Sequence, residues 1–181
     1  MKNEIEVSLV KSMDLESSNK KLLEELRVNE FGEKNRKDFG KDYEPETLWV
    51  IVKRNRKIVS FGGIRPIKVK YLGKTYFIGG VCSTISVIKK KGYGKIMVNA
   101  MINQSKKTDK TIIGFTGKTK FFEKCGWGTK KDFIRRFVWI KPNGEKEYDD
   151  DGDAVYYEGK DKLISKVLKG KGCVEIPVEF W

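Results

Sequence analysis

The first clear pattern in the chain is an alternation. Ile5, Val7 and Leu9 take one side and Glu6 and Ser8 the other, the period of a strand. Leu15, Leu22, Leu23 and Leu26 then recur at helical spacing, with Lys20, Lys21, Glu24 and Glu25 on the opposite face. Residues 29–47 are charged, carry Gly32, Gly40 and Pro45, and read as a mobile loop with room for a short helix, fit to rim a substrate site. Three strands follow at Leu48–Val52, Lys57–Tyr71 and Thr75–Val87, joined by the turns Arg54-Asn55-Arg56 and Leu72-Gly73-Lys74. Links that short make antiparallel neighbours. Glycines inside these strands (Gly62, Gly63, Gly79, Gly80) mark bulges or close backbone approach.

A helix is expected from Gly92 to Lys107, with Ile96, Met97, Ala100 and Met101 inward. A short buried strand, Thr111–Phe115, and a short helix, Lys118–Cys125, come next, and Gly126 ends that helix. Phe133–Ile140 reads as a strand, Pro142-Asn143-Gly144 as a turn and the acidic stretch after it as a loop. Leu163, Ile164, Val167 and Leu168 mark a last helix, and Cys173–Trp181 a last strand. A meander followed by β-α-β predicts an α/β (α+β) fold with a mixed, mostly antiparallel central sheet flanked by helices. The 181 residues suit one domain, 1–181, around one core.

Composition narrows the chemistry. The chain has no histidine, which removes Ser-His-Asp and Cys-His mechanisms and the commonest metal ligand. Cys82, Cys125 and Cys173 are odd in number, lack C-x-x-C spacing and sit in apolar stretches, so they read as core residues, without a disulfide framework or a metal site. No apolar run approaches the roughly 20 residues of a membrane span, and Lys2, Glu4 and Glu6 break any signal-peptide core, so a cytoplasmic protein is expected. The net charge of +13 suits an anionic partner or solubility alone. Nucleic acid is disfavoured, because aromatics are not interleaved with the lysines.

One segment carries a chemical signal: Ser83-Thr84-Ile85-Ser86-Val87-Ile88-Lys89-Lys90-Lys91-Gly92-Tyr93-Gly94-Lys95. A strand ends, a basic loop follows, and a helix opens at two glycines. Unpaired amides and the helix dipole put positive potential at such a terminus, and glycines let a phosphate oxygen approach the backbone. Such a site requires the helix start to be open. A simple tight turn and a solvated lysine triplet would give the same letters. The segment lacks the Gly-Lys-Ser/Thr of a Walker loop and the G-x-G-x-x-G of a dinucleotide site.

The stretch resembles motif A of the GNAT superfamily of N-acetyltransferases, [Gln/Arg]-x-x-Gly-x-[Gly/Ala], with Lys89 at the Gln/Arg position and Gly92 and Gly94 at the small ones. Phe121-Phe122-Glu123-Lys124-Cys125-Gly126-Trp127 resembles that family's later Phe-Tyr-Glu-Lys-x-Gly-Phe segment. The two motifs and the strand order cover about residues 48–140. The long hairpin with Tyr76-Phe77-Ile78-Gly79-Gly80-Val81 also looks like the Eis-type and aminoglycoside acetyltransferase branch. The resemblance implies a sheet splayed between its central strands, with pantetheine on the backbone of Ser83, Thr84 and Ile85. It implies pyrophosphate at Lys89, Lys90, Lys91, Gly92, Tyr93, Gly94 and Lys95, and Phe122 beside the cofactor. It further implies acetyl-CoA as co-substrate, no metal, and transfer to a primary amine of unassigned identity, with a homodimer as an option.

The resemblance also exposes a gap. Where the family often has a proton-donating tyrosine stands Phe122, leaving water or Tyr71, Tyr76, Tyr156 or Tyr157 for that role. No acid lies in 81–87, so the chain-terminal carboxylate of Trp181 becomes a candidate base. The alternative from another class is a CoA-binding protein without catalysis; a nucleic-acid-binding module is the third reading. The acidic run Glu145, Glu147, Asp149, Asp150, Asp151, Asp153 reads as a solvated loop or as an attractor for a cationic amine.

Overall fold

A computed structural model describes residues 4–179. It divides into two compact units that share strands. Unit 1 comprises residues 1–65 and 82–101; unit 2 comprises 66–81 and 102–181.

Unit 1 holds β1 (Ile5–Lys11), α1 (Ser17–Phe31), β2 (Leu48–Arg54), the first part of β3 (Lys57–Tyr71), the last part of β4 (Lys74–Ser86) and most of α2 (Tyr93–Thr108). β1 runs antiparallel to β2 from Ile5↔Arg54 to Lys11↔Leu48, and β2 antiparallel to β3 with a register shift at Val52/Lys53. Glycine is needed where α2 and β2 press on β3. A Cβ at Gly62 would come within 2.7 Å of Met101 Cε, and one at Gly63 within 2.7 Å of Cys82 Sγ and 2.8 Å of the Trp49 ring.

Three expectations change here. Ile5, Val7 and Leu9 are 39–46% exposed, because β1 is the terminal strand of this unit's ladder and, among the described residues, pairs only with β2. On α1, Leu23 is fully buried while Leu22 is exposed, so the buried stripe is narrower than the leucine spacing predicts. The supposedly mobile loop is anchored. After α1 and a 3-10 turn at Glu33–Asn35, Phe39 is fully buried and stacks on Trp49 (4.6 Å between centroids) and Tyr43 (5.1 Å). Backbone bonds from Ser12 N–H to Thr47 C=O and from Met13 N–H to Pro45 C=O tie its far end.

Unit 2 holds the hairpin end of β3 and β4, β5 (Ile112–Phe115), α3 (Thr119–Glu123), β6 (Gly128–Lys130), β7 (Phe137–Ile140), β8 (Lys146–Glu147), β9 (Ala154–Tyr157), α4 (Leu163–Lys169) and β10 (Val174–Ile176). β9 lies antiparallel between β5 and β6; β10 pairs antiparallel with β3 and parallel with β7. The core of this unit joins Ile67, Val69, Ile78, Ile113, Phe137, Leu163, Ile164, Val167 and Ile176. The mixed sheet predicted from the meander is therefore present, but the reading missed β6, β8 and β9. The predicted strand 133–140 begins as a 3-10 turn, Phe133–Arg136, and only then extends. The last strand is shorter than expected, and Trp181 lies outside the described residues. Cys82 is buried as expected, while Cys125 and Cys173 are half-buried.

Candidate active site: the end of strand β4 and the start of helix α2

Unit 1 brings Ser83 to Lys95 together on consecutive backbone. In unit 2, β4 enters parallel to β5 through Gly79↔Ile112 and Gly80↔Ile113, and among the described residues the ladder ends there. Val81 and Gly114, next in register, do not pair with each other, although both strands continue and Gly114 pairs with Val155 of β9. The remaining half of β4, Cys82 to Ser86, belongs to unit 1 and contains an irregularity. Ser83 has φ +48°, a left-handed conformation in the middle of a strand. A side chain other than glycine there costs about 1–3 kcal/mol and persists only where surrounding contacts fix it.

Those contacts are visible. The Ser83 hydroxyl lies 3.0 Å from the Tyr43 hydroxyl, which the anchored loop delivers. The Ser60 hydroxyl of β3 donates to Ile85 C=O (3.0 Å). Beside Tyr43, Arg65 donates to both oxygens of Glu44 (2.9 and 2.7 Å), and its guanidinium lies 5.7 Å from the Tyr43 ring centroid. Burial pushes the Tyr43 phenol up to about 12; the Ser83 bond and the charges of Arg27 and Arg65 pull the other way. Cys82, wholly enclosed, is likewise pushed up to about 12 by burial and is an inert thiol.

After Ser86 the chain turns. Val87 and Ile88 both donate to Val59 C=O, and Lys89, Lys90, Lys91 and Gly92 are exposed. Lys90 (φ +61°) and Gly92 (φ +82°) are left-handed, which bends the loop into the helix start. A Cβ built on Gly92 meets nothing within 4 Å. The helix ladder begins with Ile96 N–H to Gly92 C=O, so the first-turn amides of α2 lack intrahelical acceptors, as at any helix start. Tyr93 and Gly94 are buried and Lys95 is exposed; Arg54 donates to the Tyr93 hydroxyl (3.0 Å). Lys89 is not idle, since it pairs with Glu30 of α1 at 2.9 Å.

The other candidates fall in unit 2. Phe122 is buried and packs edge-on against Trp127 (5.2 Å) and Phe121 (5.3 Å). The Tyr71 hydroxyl donates to Lys171 C=O, and burial raises the pKa of Tyr156. Asp149, Asp151 and Asp153 join Asp132, Phe115 and Thr116 around a cavity of about 580 Å³. The residue that sequence reasoning missed is Tyr43. Its spacing from Phe39 was the available signal, but an isolated aromatic pair in a charged stretch does not announce a contact forty residues away.

The architecture is that of the GNAT N-acetyltransferases. The chain superposes on Escherichia coli ElaA with a TM-score of 0.59 at 15% identity, over 86% of this chain and 100% of that one. It superposes on the GNAT family N-acetyltransferase YhbS from Escherichia coli, solved in complex with CoA, with a TM-score of 0.52 at 13% identity, covering 96% and 90% of the two chains. It also matches a GCN5-related N-acetyltransferase from Kribbella flavida, with a TM-score of 0.54 at 13% identity, over 73% of this chain and 37% of that longer one. The sequence matches no family model and no curated protein. Among the described residues no helix is long and apolar enough to cross a membrane.

Proposed function

We propose that this chain is a GNAT-family N-acetyltransferase, acting as one domain over residues 1–181, that moves an acetyl group from acetyl-CoA to a primary amine. The observation that carries the reading is the exposed Lys89–Gly92 loop, with open space above Gly92, at the start of a 16-residue helix in this fold. The residues fit a diphosphate: Gly92 leaves the backbone bare, and Lys89, Lys90 and Lys91 supply charge. The pantetheine arm would hydrogen-bond the backbone of Ser83, Thr84 and Ile85. Bound there, acetyl-CoA supplies an activated acetyl group. The chain's own part is to hold the amine in line and to present a main-chain N–H to the carbonyl oxygen. The aspartate-lined cavity of unit 2 accords with a cationic amine. The free cysteines accord with a cytoplasmic protein. The terminal carboxylate of Trp181 stays a candidate base.

Calorimetry with CoA and thiol release across spermidine, kanamycin and a lysine peptide test this reading. The wild type should bind CoA and release thiol with at least one amine. Gly92→Val should lower CoA affinity about a hundredfold, with the unfolding temperature within a few degrees. Unchanged affinity in that variant removes the phosphate loop. Binding without thiol release would favour a CoA-binding protein, a reading suggested by Phe122, which has no proton to give.

A further inference from the structure

Three features of unit 1 converge on one residue. Ser83 adopts φ +48°, and among the described residues it is the non-glycine position inside a strand to do so. Its hydroxyl is 3.0 Å from that of Tyr43. Ser83 is partly buried while Tyr43 is buried, so the pair runs from the interior of the unit toward its surface. A strained serine and a buried tyrosine aimed at each other are not needed to close a strand. Backbone strain of this kind is a reason to look for function.

From this geometry we infer that Tyr43 and Ser83 form a hydroxyl pair that donates a hydrogen bond to the sulfur leaving in acetyl transfer. Ser83 would touch the reacting atoms, and Tyr43 would be the positioning residue behind it. The inference rests on the acetyl-transfer reading above. Either hydroxyl can donate across this contact; the proposal requires Tyr43, the more acidic, to donate to Ser83 Oγ, leaving the serine hydrogen free for sulfur. The groups facing Tyr43 keep it a donor. Burial and Cys82 hold the phenol protonated against Arg27 and Arg65, and Arg65 is itself neutralised by Glu44.

During transfer the C–N bond forms and the C–S bond breaks. The electron pair of the C–S bond stays on sulfur. The amine loses its proton to water, and the thiolate takes one from water. The hydroxyl pair returns unchanged, having stabilised negative charge on sulfur as it develops. A charge-assisted hydrogen bond of this kind is the stronger sort. It would serve in place of a side-chain acid at Phe122.

The test compares wild type with Tyr43→Phe, which keeps the ring that packs on Phe39 and Trp49, and with Ser83→Ala. The first readout is the thiol pKa of bound CoA, taken from thiolate absorbance with the desulfo-CoA complex as reference. It should rise by roughly one unit in either variant, the size expected for one lost hydrogen bond to a charged group. The second is kcat with acetyl-CoA and the amine identified from the panel. It should fall roughly tenfold in each single variant and no further in the double, with CoA affinity and unfolding temperature little changed. An unshifted thiol pKa, or an unchanged kcat in Tyr43→Phe, overturns the pair and leaves acetyl transfer standing. Failure of the wild type to bind CoA overturns both readings.

Discussion

Buried polar groups are placed differently in the two units. In unit 2 they sit at the ends of elements and satisfy loose backbone. Thr111, just before β5, donates its amide and hydroxyl to Asp161, whose carboxylate also accepts from Leu163 N–H at the start of α4. Tyr71 donates to Lys171 C=O beyond the end of that helix. In unit 1 Ser12 and Thr47 do likewise at the ends of β1 and β2, but other polar groups bear on strand interiors. Ser60 reaches Ile85 C=O, Tyr43 reaches Ser83, and the Arg65–Glu44 pair flanks them. A strand interior already has ladder bonds and needs no such help. Buried polarity there costs stability unless fully paired. Unit 2 thus reads as fastened at its joints, while unit 1 adds polar contacts to the interior of its strands.

The sharpest way to break this contrast is to open the apolar core. Phe137 is fully buried among Phe133, Phe115 and the α4 residues. Phe137→Ala should destabilise by about 3–5 kcal/mol, read from urea unfolding. A loss under about 1 kcal/mol would mean that this core is not packed as described.

Next in size is the Arg65–Glu44 pair. Its side chains are 14% and 31% exposed, so solvent screens it in part. Arg65→Met should cost about 1–2 kcal/mol at neutral pH. Burial alone would raise the Glu44 pKa, but the hydrogen bonds and charge of Arg65 outweigh it and hold the carboxyl below 4.5. A depressed carboxylate stabilises the fold above its unfolded pKa, and that contribution disappears as pH falls through the folded value. The gap between wild type and Glu44→Gln, measured by thermal unfolding, should therefore be full at pH 7 and shrink below about pH 4.5.

Much of this contrast was legible in the letters and some was not. β3 matches its predicted bounds, and α2 is one residue off, because strong periodicity and turn residues flank each. The turn from Lys89 to Gly92 into α2 was readable because Gly-x-Gly after a lysine triplet is a local signal for a helix start. β9 was not, since Ala154–Tyr157 is four residues long and follows an acidic run that resembles a solvated loop. Tyr43 was hidden for a different reason. What anchors residues 36–47 is ring stacking on Trp49 and Phe61, a tertiary contact with no local period. The tyrosines that sequence nominated in its place, Tyr71, Tyr76, Tyr156 and Tyr157, all belong to unit 2.

A pH-dependent effect tests whether Tyr43 is as enclosed as drawn. Its folded pKa, about 12, lies above the ordinary 10.0 mainly through burial. The native state then keeps a proton that the unfolded chain releases, so stability falls as pH rises from about 10 to 12. That contribution should reach at most about 3 kcal/mol. It should be missing from Tyr43→Phe, so the stability difference between the variant and wild type should shift in the variant's favour across that window. A difference independent of pH would place the phenol in solvent.

The smallest effect separates backbone from side chain in the loop proposed to bind phosphate. Lys89 is 65% exposed and held by Glu30, so binding a phosphate means leaving one anion for another. Its net contribution to affinity is the difference between two screened contacts, while the bare amides at Gly92 lose only water. Lys89→Ala should therefore weaken CoA binding only about threefold to tenfold, against about a hundredfold for Gly92→Val. Raising the salt concentration should shrink the lysine effect and leave most of the glycine effect, because close backbone hydrogen bonds are screened far less than an exposed charge. If Lys89→Ala proved as damaging as Gly92→Val, the loop would be gripping its anion through side-chain charge, and the open space over Gly92 would have no role in recognition.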